Sequence, residues 1–577
     1  MMIRIRNFTK RVNPFWMIIL ASCFNLLIMH YYILLTCNID AVIDITTYID
    51  NILGVSFDIF VLLLVLKLVA WNHIKLILRL LFSLTWGWSF SNILYSRFFH
   101  HYLSFSAIGQ GGSLLEGLVF RSIIEKVYIE DFLFFLYFLL VLFLIERINF
   151  KGIRYIKSVF GCFIAVIVID LAGYVLYCTS KPQLRYANYF LHRLNSNHFE
   201  ISTCSSQPIF SNFSRGAVRS IGVEVYADLQ GSMDITDEMM KTINHTIEMS
   251  QKERGNIIDV RSQCNVIFIL VESLMSFPID MRVGSHEVTP FLNSLKHDSM
   301  VYYNGKMKKN ITIGESSDGQ FIYMTGILPL RSMITVSKAK HRSMPGLPKL
   351  LGVDSRMVIP TVSSMWNQDD MCQQYGFDHI YTSNDYDGGS YACLNDEQVF
   401  QLAIEKDKVS CQPFFSVILT ISMHQPYNEQ IDSSFPVYDS SMSSELANYL
   451  NACHYTDRQI EKYFEYLKKS GLYSNSMIVI AADHPVYNTA FGDVKDYIPF
   501  FILNAGANPR NMWQGDCNQL DVYSTLLDLL GIESNWYGLG HSLVSPNYKE
   551  SVSSKTWEVS EWIVLGDYFS GKNIGKE

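Results

Sequence analysis

Charge is scarce in this 577-residue chain: Asp, Glu, Lys and Arg together supply 17% of it, against 49% apolar residues. Positive charge is scarcer still. The formal net charge is -8, and no polybasic tract follows the short basic N-terminus, so nothing electrostatic favours a nucleic-acid partner. The 11 cysteines include no Cys-x-x-Cys pair, which removes zinc-ribbon and thioredoxin-like readings. If the second half lies outside the cell, Cys372 with Cys393 is the first pair to expect, and buried free thiols are the alternative. The first apolar stretch has no small-x-small cleavage site and further stretches follow it, so it does not read as a removed signal peptide.

What is present divides unevenly. The first ~180 residues are rich in Leu, Ile, Phe and Val, and the rest has the mixed composition of a globular domain. Five apolar stretches approach bilayer-spanning length: Phe15–Leu35, Ile52–Trp71, Leu76–Tyr95, Phe132–Ile145 and Val159–Leu176. Loop charges orient them. Arg4, Arg6, Lys10 and Arg11 place the N-terminus in the cytoplasm, and the acidic loop with Asp40, Asp44 and Asp50 falls outside. Lys67, Lys75 and Arg79, then Arg147, Lys151, Arg154 and Lys157, mark inner turns. After five spans the C-terminal half emerges on the extracytoplasmic side. Asp58 and Asp170 fall within expected spans, where a carboxylate is either functional or bonded between helices. Tyr95–Asp131, with Gly109-Gln110-Gly111-Gly112, reads as amphipathic and surface-lying. The expected organisation is a transmembrane domain with five helices over 1–178, an amphipathic connector over 179–260 including a helix at Asp237–Lys252, and an extracytoplasmic catalytic domain over 261–577.

From Cys264 the pattern changes. Asn265–Val271 is a continuous apolar run ending in Glu272, as a buried parallel strand would read. Similar runs recur at Met357–Pro360, Phe414–Leu419, Met477–Ala481 and Phe500–Leu503, with helical stretches such as Glu445–Lys469 and Asp521–Leu530 between them. The alternation predicts an α/β domain with a mostly parallel central sheet, whose ligands bind beyond the carboxyl ends of the strands. Those ends carry Glu272, Asp483-His484 and, beyond Phe414–Leu419, His424. Carboxylate and imidazole groups on neighbouring strand tips suit a divalent metal. In Gly314-Glu315-Ser316-Ser317-Asp318 a hydroxyl precedes an expected helix. It reads as a helix cap, or as a nucleophile activated by a metal and aided by the helix N-terminus.

Together these motifs resemble the lipoteichoic acid synthase group of membrane phosphoglycerol transferases, within the alkaline phosphatase–sulfatase superfamily. The matching stretches are Val271-Glu272-Ser273, Val288-Thr289-Pro290-Phe291-Leu292, Gly314–Asp318, His424-Gln425-Pro426-Tyr427, Asp483-His484 and Asp521–Gly531, in order. The resemblance implies a sulfatase-like fold in which Glu272, Ser316, Asp483 and His484 hold one divalent metal, Mn²⁺ first, with Zn²⁺ or Mg²⁺ as alternatives. It implies Ser316 as nucleophile, at a position where the family usually has Thr, and His424 beside the transferred phosphate or its leaving group. Trp366, Asn367 and Gln368 match a substrate-binding Trp-Asn-Arg element, with Gln where the family has Arg, and the family's histidine ahead of it is missing from Ile359–Ser364. Gln cannot reproduce the bidentate grip of Arg on a phosphate, so headgroup choice is where the departure acts.

The implied reaction moves a phospho-headgroup, phosphoglycerol first, from a membrane phospholipid through a phospho-serine to a glycan or polymer acceptor in the envelope, releasing diacylglycerol. Phosphatidylglycerol is the first donor and phosphatidylethanolamine the alternative, on the extracytoplasmic side of the cell membrane. A sulfatase or phosphodiesterase would be a hydrolytic alternative, although Asp318 and Gln320 stand where a formylglycine sulfatase needs Pro and Arg. A non-catalytic envelope-binding protein is the third reading.

Overall fold

The computed structural model describes residues 14–36, 45–69, 73–99, 102–103, 127–148, 233–252, 254 and most of 264–572, with scattered positions between 161 and 225. The described residues form two compact units, divided near residue 231.

The first unit is helical: α1 (Pro14–Thr36), α2 (Ile45–Val69), α3 (Ile74–Phe99) and α4 (Ile129–Arg147). Two of its helical stretches, Pro14–Thr36 and Asn51–Leu68, are long and apolar enough to cross a membrane. α3 and α4 are helical where further spans are expected. The fifth expected span, Asp170 and the Gly109–Gly112 turn lie outside the described residues. Phe15, Met29, Ile33, Ile59, Leu78, Leu81 and Phe82 form the apolar interior. Polar side chains bond across it. Arg97 reaches Asp131 with its two terminal guanidinium nitrogens, at 2.6 and 3.0 Å, and donates from Nε to Tyr32 Oη at 2.6 Å. Asp58 accepts the backbone N–H groups of Ala217 and Val218 at 2.6 and 3.0 Å. That carboxylate thus satisfies two amides of a polypeptide segment, which is the structural role open to a buried acid.

The second unit starts with α5 (Asp237–Lys252) and carries a sheet of eight strands: β1 (Asn265–Val271), β4 (Tyr302–Lys308), β5 (Asp354–Val358), β6 (His379–Tyr381), β7 (Phe414–Leu419), β8 (Ser476–Ala482), β9 (Ile498–Leu503) and β10 (Cys517–Asn518). The two remaining strands, β2 (Arg282–Val283) and β3 (His286–Glu287), form a separate small hairpin. The sheet order is β10-β4-β9-β8-β1-β7-β5-β6. It is parallel except where β9 meets β8 and β4. Helices interleave: α6 (Pro290–His297), α7 (Ser316–Thr325), α8 (Thr335–Ala339), α9 (Leu347–Leu351), α10 (Gln368–Tyr375), α11 (Asp396–Val409), α12 (Ser444–Lys469), α13 (Asp521–Leu530) and α14 (Ser554–Leu565).

β1, β7 and β8 are buried along their whole length, which is why they read as unbroken apolar runs. In register, Val271 stands beside Ala482, so Glu272 and Asp483 leave the sheet side by side. The expected Cys372–Cys393 bond is absent. Cys372 is buried on α10 with its sulfur 3.4 Å from Met357 Sδ, and the Cys393 thiol turns to the Leu394 carbonyl.

Candidate active site

The carboxyl ends of β1, β7 and β8 meet the N-terminus of α7, and the polar side chains gather there. Glu272, Asp483 and His484 each offer a ligand atom within 4.8 Å of the others. Ser316, the first residue of α7, turns its hydroxyl to Glu272 Oε2 at 3.2 Å and His484 Nε2 at 3.0 Å. Glu315, just before it, adopts φ 45°, a conformation that costs a non-glycine residue energy and that clusters at functional sites. α7 also comes close to the strand end. A Cβ at Gly319 would collide with the Asp483 carbonyl oxygen, so only glycine permits this approach.

The ligand atoms are aimed by their surroundings. Asp483 Oδ1 accepts the backbone N–H of Ser273 and of His484, both at 2.8 Å, which leaves Oδ2 toward His484 Nε2 at 3.6 Å. The Ser273 hydroxyl donates to Glu272 Oε1 at 2.6 Å. His484 Nδ1 donates to the Pro485 carbonyl at 3.0 Å, which turns Nε2 toward Ser316 and the carboxylates. Gln519 is fully buried and bridges the Asp483 carbonyl and the Asn310 amide, each at 2.7 Å.

A third carboxylate completes the charge pattern: Glu315 Oε2 lies 4.0 Å from His484 Nδ1. Burial pushes the Glu315 carboxyl up to about 7. Burial, and then the charge of Glu272, push Asp483 up to about 7 as well. At His484 burial opposes the charged form, but Asp483, Glu272 and Glu315 outweigh it and push the imidazole up to about 9. Two buried acids and one half-buried acid around one imidazole and one hydroxyl are an excess of negative charge that a divalent cation would neutralise. The donor set therefore fits a divalent metal.

His424 follows β7 and is held by a 2.5 Å bond from Nδ1 to the Gln425 carbonyl. Burial lowers its pKa, with His484 adding to the effect, so the imidazole is neutral near pH 7. The loop that carries it hangs on Asp396, whose Oδ1 accepts the Ile421 and Ser422 amides at 2.7 and 2.9 Å and whose Oδ2 accepts the Thr456 hydroxyl at 2.6 Å. Trp366 and Asn367 lie in a turn beyond β5, both at φ 53°. Gln368 does not face outward. It is buried, and its amide bonds Gln320, one turn along α7 from Ser316, at 2.9 Å. Asn367 Oδ1 accepts from Lys340 Nζ at 2.8 Å. Glu315, Asp396 and Gln519 carry no strong signal in the sequence; Glu315 is legible only as the neighbour of the hydroxyl.

The scaffold has known relatives. Residues 264–532 match the sulfatase family. That stretch is a sulfatase-family domain of the alkaline phosphatase superfamily. The matching segment opens one residue before β1 and closes just after α13, so it takes in every strand of the sheet. The chain also resembles lipoteichoic acid synthase 2 of Bacillus subtilis, with 27% identity over 524 residues, 84% of this chain and 75% of the relative. It resembles the lipoteichoic acid synthase of Staphylococcus aureus with 25% identity over 538 residues, 84% of this chain and 77% of the relative. In fold it is similar to the integral membrane lipooligosaccharide phosphoethanolamine transferase A of Neisseria meningitidis, with TM-score 0.53, 12% identity, and coverage of 90% of this chain and 96% of that one. The similarity to the synthases extends beyond the sulfatase domain, because 84% of the chain exceeds what residues 264–532 supply.

Proposed function

We propose that the protein is a membrane-held phosphotransferase that moves phosphoglycerol from phosphatidylglycerol to an acceptor hydroxyl in the cell envelope. The observation that carries this reading is the Ser316 hydroxyl at the N-terminus of α7, 3.0 Å from His484 Nε2 and 3.2 Å from Glu272 Oε2. Glu272, Asp483, His484 and the Ser316 oxygen would hold one divalent metal, Mn²⁺ in the first instance. When bound, such a cation lowers the pKa of the hydroxyl and offsets negative charge on phosphate oxygens.

The chain's own residues do the rest. The Ser316 oxygen forms a bond to phosphorus as the bond to the diacylglycerol oxygen breaks. The proton lost by Ser316 balances the one the diacylglycerol alkoxide takes up, and we assign His424 to the leaving-group side. An acceptor hydroxyl then displaces Ser316, with the protons moving in reverse. The positive end of the α7 dipole favours the anionic phosphate. Trp366 and Asn367 would line the headgroup side, with Gln368 buried behind them against Gln320. The apolar helices Pro14–Thr36 and Asn51–Leu68 support a membrane location, where a tethered site meets a donor confined to the bilayer. We place the site on the extracytoplasmic side, after five spans, on the loop charges.

Gln368 favours one further reading, a phosphoethanolamine headgroup, because no guanidinium stands at that position. One experiment separates the readings. The full chain is incubated with Mn²⁺ and each phospholipid in turn, quenched in acid, and its intact mass compared with Ser316→Ala. A gain equal to phosphoglycerol in the wild type alone is the expected result. A gain equal to phosphoethanolamine would reassign the donor. No gain, with no diacylglycerol released, would overturn the transferase reading.

A further inference from the structure

We propose that Asp318 is the positioning residue for the nucleophile: its carboxylate, buried and four-fold hydrogen-bonded, fixes where the Ser316 oxygen points. The proposal rests on Ser316 acting as the nucleophile. Asp318 is fully buried, two residues after Ser316 in the first turn of α7. Its Oδ2 accepts three hydrogen bonds, from the Thr312 amide at 2.9 Å, the Thr312 hydroxyl at 2.8 Å and the Gly314 amide at 3.0 Å. Its Oδ1 accepts the Thr335 hydroxyl at 2.9 Å. None of these partners belongs to the metal-ligand group, and Asp318 itself touches none of Glu272, Asp483 or His484 in the bonds that hold it.

The geometry explains the Gly-Glu-Ser-Ser-Asp segment as one mechanical unit. Asp318 draws the loop at 312–314 in beneath the helix start. A Cβ at Gly314 would run into Asp318 Oδ1, so that approach requires glycine. Glu315 must then turn through the left-handed region, φ 45°, to join the helix. This turn delivers Ser316 as the first helical residue, facing the carboxylates. Thr312 and Thr335 extend the brace. The Thr312 hydroxyl lies 2.7 Å from the Leu330 carbonyl, and the Leu330 amide donates to Thr335 Oγ1 at 3.0 Å. Asp318 therefore ties together the loop before α7, α7 itself and the segment leading into α8. A carboxylate accepting several donors in a buried site is rigid, because every displacement leaves a donor unpaired. Asparagine in its place can keep its oxygen on the Thr312 and Gly314 donors, but it turns an NH₂ group toward Thr335 Oγ1, which already accepts the Leu330 amide, so the tie to α8 must shift. A displacement of ~1 Å at a reacting atom costs about 100-fold in rate.

The test uses the full chain in mixed micelles of fluorescent phosphatidylglycerol with Mn²⁺. Wild type, Asp318→Asn, Thr335→Val and Ser316→Ala are compared for kcat, KM, bound Mn²⁺ and melting temperature. Asp318→Asn is expected to lower kcat by about 100-fold, with KM, bound Mn²⁺ and melting close to wild type; Thr335→Val, which removes one brace, is expected to lower kcat several-fold with the same pattern. Wild-type kcat in Asp318→Asn, or a kcat loss that only follows loss of bound metal and of cooperative melting, overturns the proposal. Should Asp318→Asn not fold, Thr335→Val decides: lowered kcat at constant KM supports the assignment, and unchanged kinetics overturn it. Ser316→Ala keeps the two readings apart. Activity surviving in that variant sinks the nucleophile itself, whereas an inactive Ser316→Ala beside fully active Asp318→Asn and Thr335→Val sinks only the role of Asp318.

Discussion

Each acid at this site has two oxygens with separate duties. Asp483 shows the division most clearly. Oδ1 is committed to the Ser273 and His484 amides, and Oδ2 faces the His484 imidazole and the neighbouring ligand atoms. Asparagine can keep its oxygen on the two amides and place its NH₂ where the ligand oxygen was. Asp483→Asn should therefore leave the loop intact and remove one metal donor. Loss of a partner that merely orients a ligand already costs about 10–100-fold in affinity, so at least that much is expected here. A Mn²⁺ or Zn²⁺ competition titration reads it, and the melting temperature of the metal-free protein should not fall, since one buried charge has gone. Unchanged affinity would remove Asp483 from the ligand set.

At the scale of elements, side chains from one element often complete another. α6 starts at Pro290 without a side-chain cap from Thr289, and Asp457 of α12 supplies it, accepting the Phe291 and Leu292 amides at 2.8 Å each. Burial pushes Asp457 up to about 7, against the pull of these amides. An acid whose folded pKa lies above its unfolded value of 3.8 holds its proton more tightly when folded. Its contribution to stability is full below pH 3.8 and is lost as the pH rises through about 7. Relative to Asp457→Asn, which is neutral throughout, the wild type should lose on the order of 2–4 kcal/mol across that window. Unfolding midpoints of both proteins from pH 4 to 8 check it, and parallel profiles would contradict it. The same long-range habit explains which parts the sequence revealed. β1, β7 and β8 are central and covered on both faces, so burial wrote them as apolar runs, with Glu272 and Asp483 legible at their tips. β4, Tyr302–Lys308, mixes Tyr and Met with Asn, Gly and Lys and pairs antiparallel with β9, so no apolar run marks it. Asp396, Gln519 and Asp457 act on partners 25 or more residues away, and no local spacing encodes such bonds.

At the scale of the molecule, the boundary of the catalytic unit follows from its packing and not from where the first strand begins. α5 belongs to this unit. Ser250 donates to the Gly538 and Gly540 carbonyls at 2.9 and 3.0 Å, and the Met233 amide donates to the Leu565 carbonyl at 2.9 Å. Arg254 pairs with Asp528 at 3.2 Å and stacks on Tyr537. A fragment that starts at residue 264 would strip α5 from α14 and remove the Met233, Ser250 and Arg254 donors, at about 0.5–1.5 kcal/mol for each hydrogen bond lost. A fragment spanning 232–577 keeps them. It is expected to melt cooperatively and to bind Mn²⁺, whereas 264–577 should melt lower or aggregate. The longer fragment also isolates the contribution of the apolar helices of the first unit. Without them it loses the high local concentration of a donor that stays in the bilayer, so it should act on short-chain phosphatidylglycerol dispersed in solution yet be slow on vesicles. Equal rates of the fragment and the full chain on vesicles would mean that the helices serve something other than donor capture.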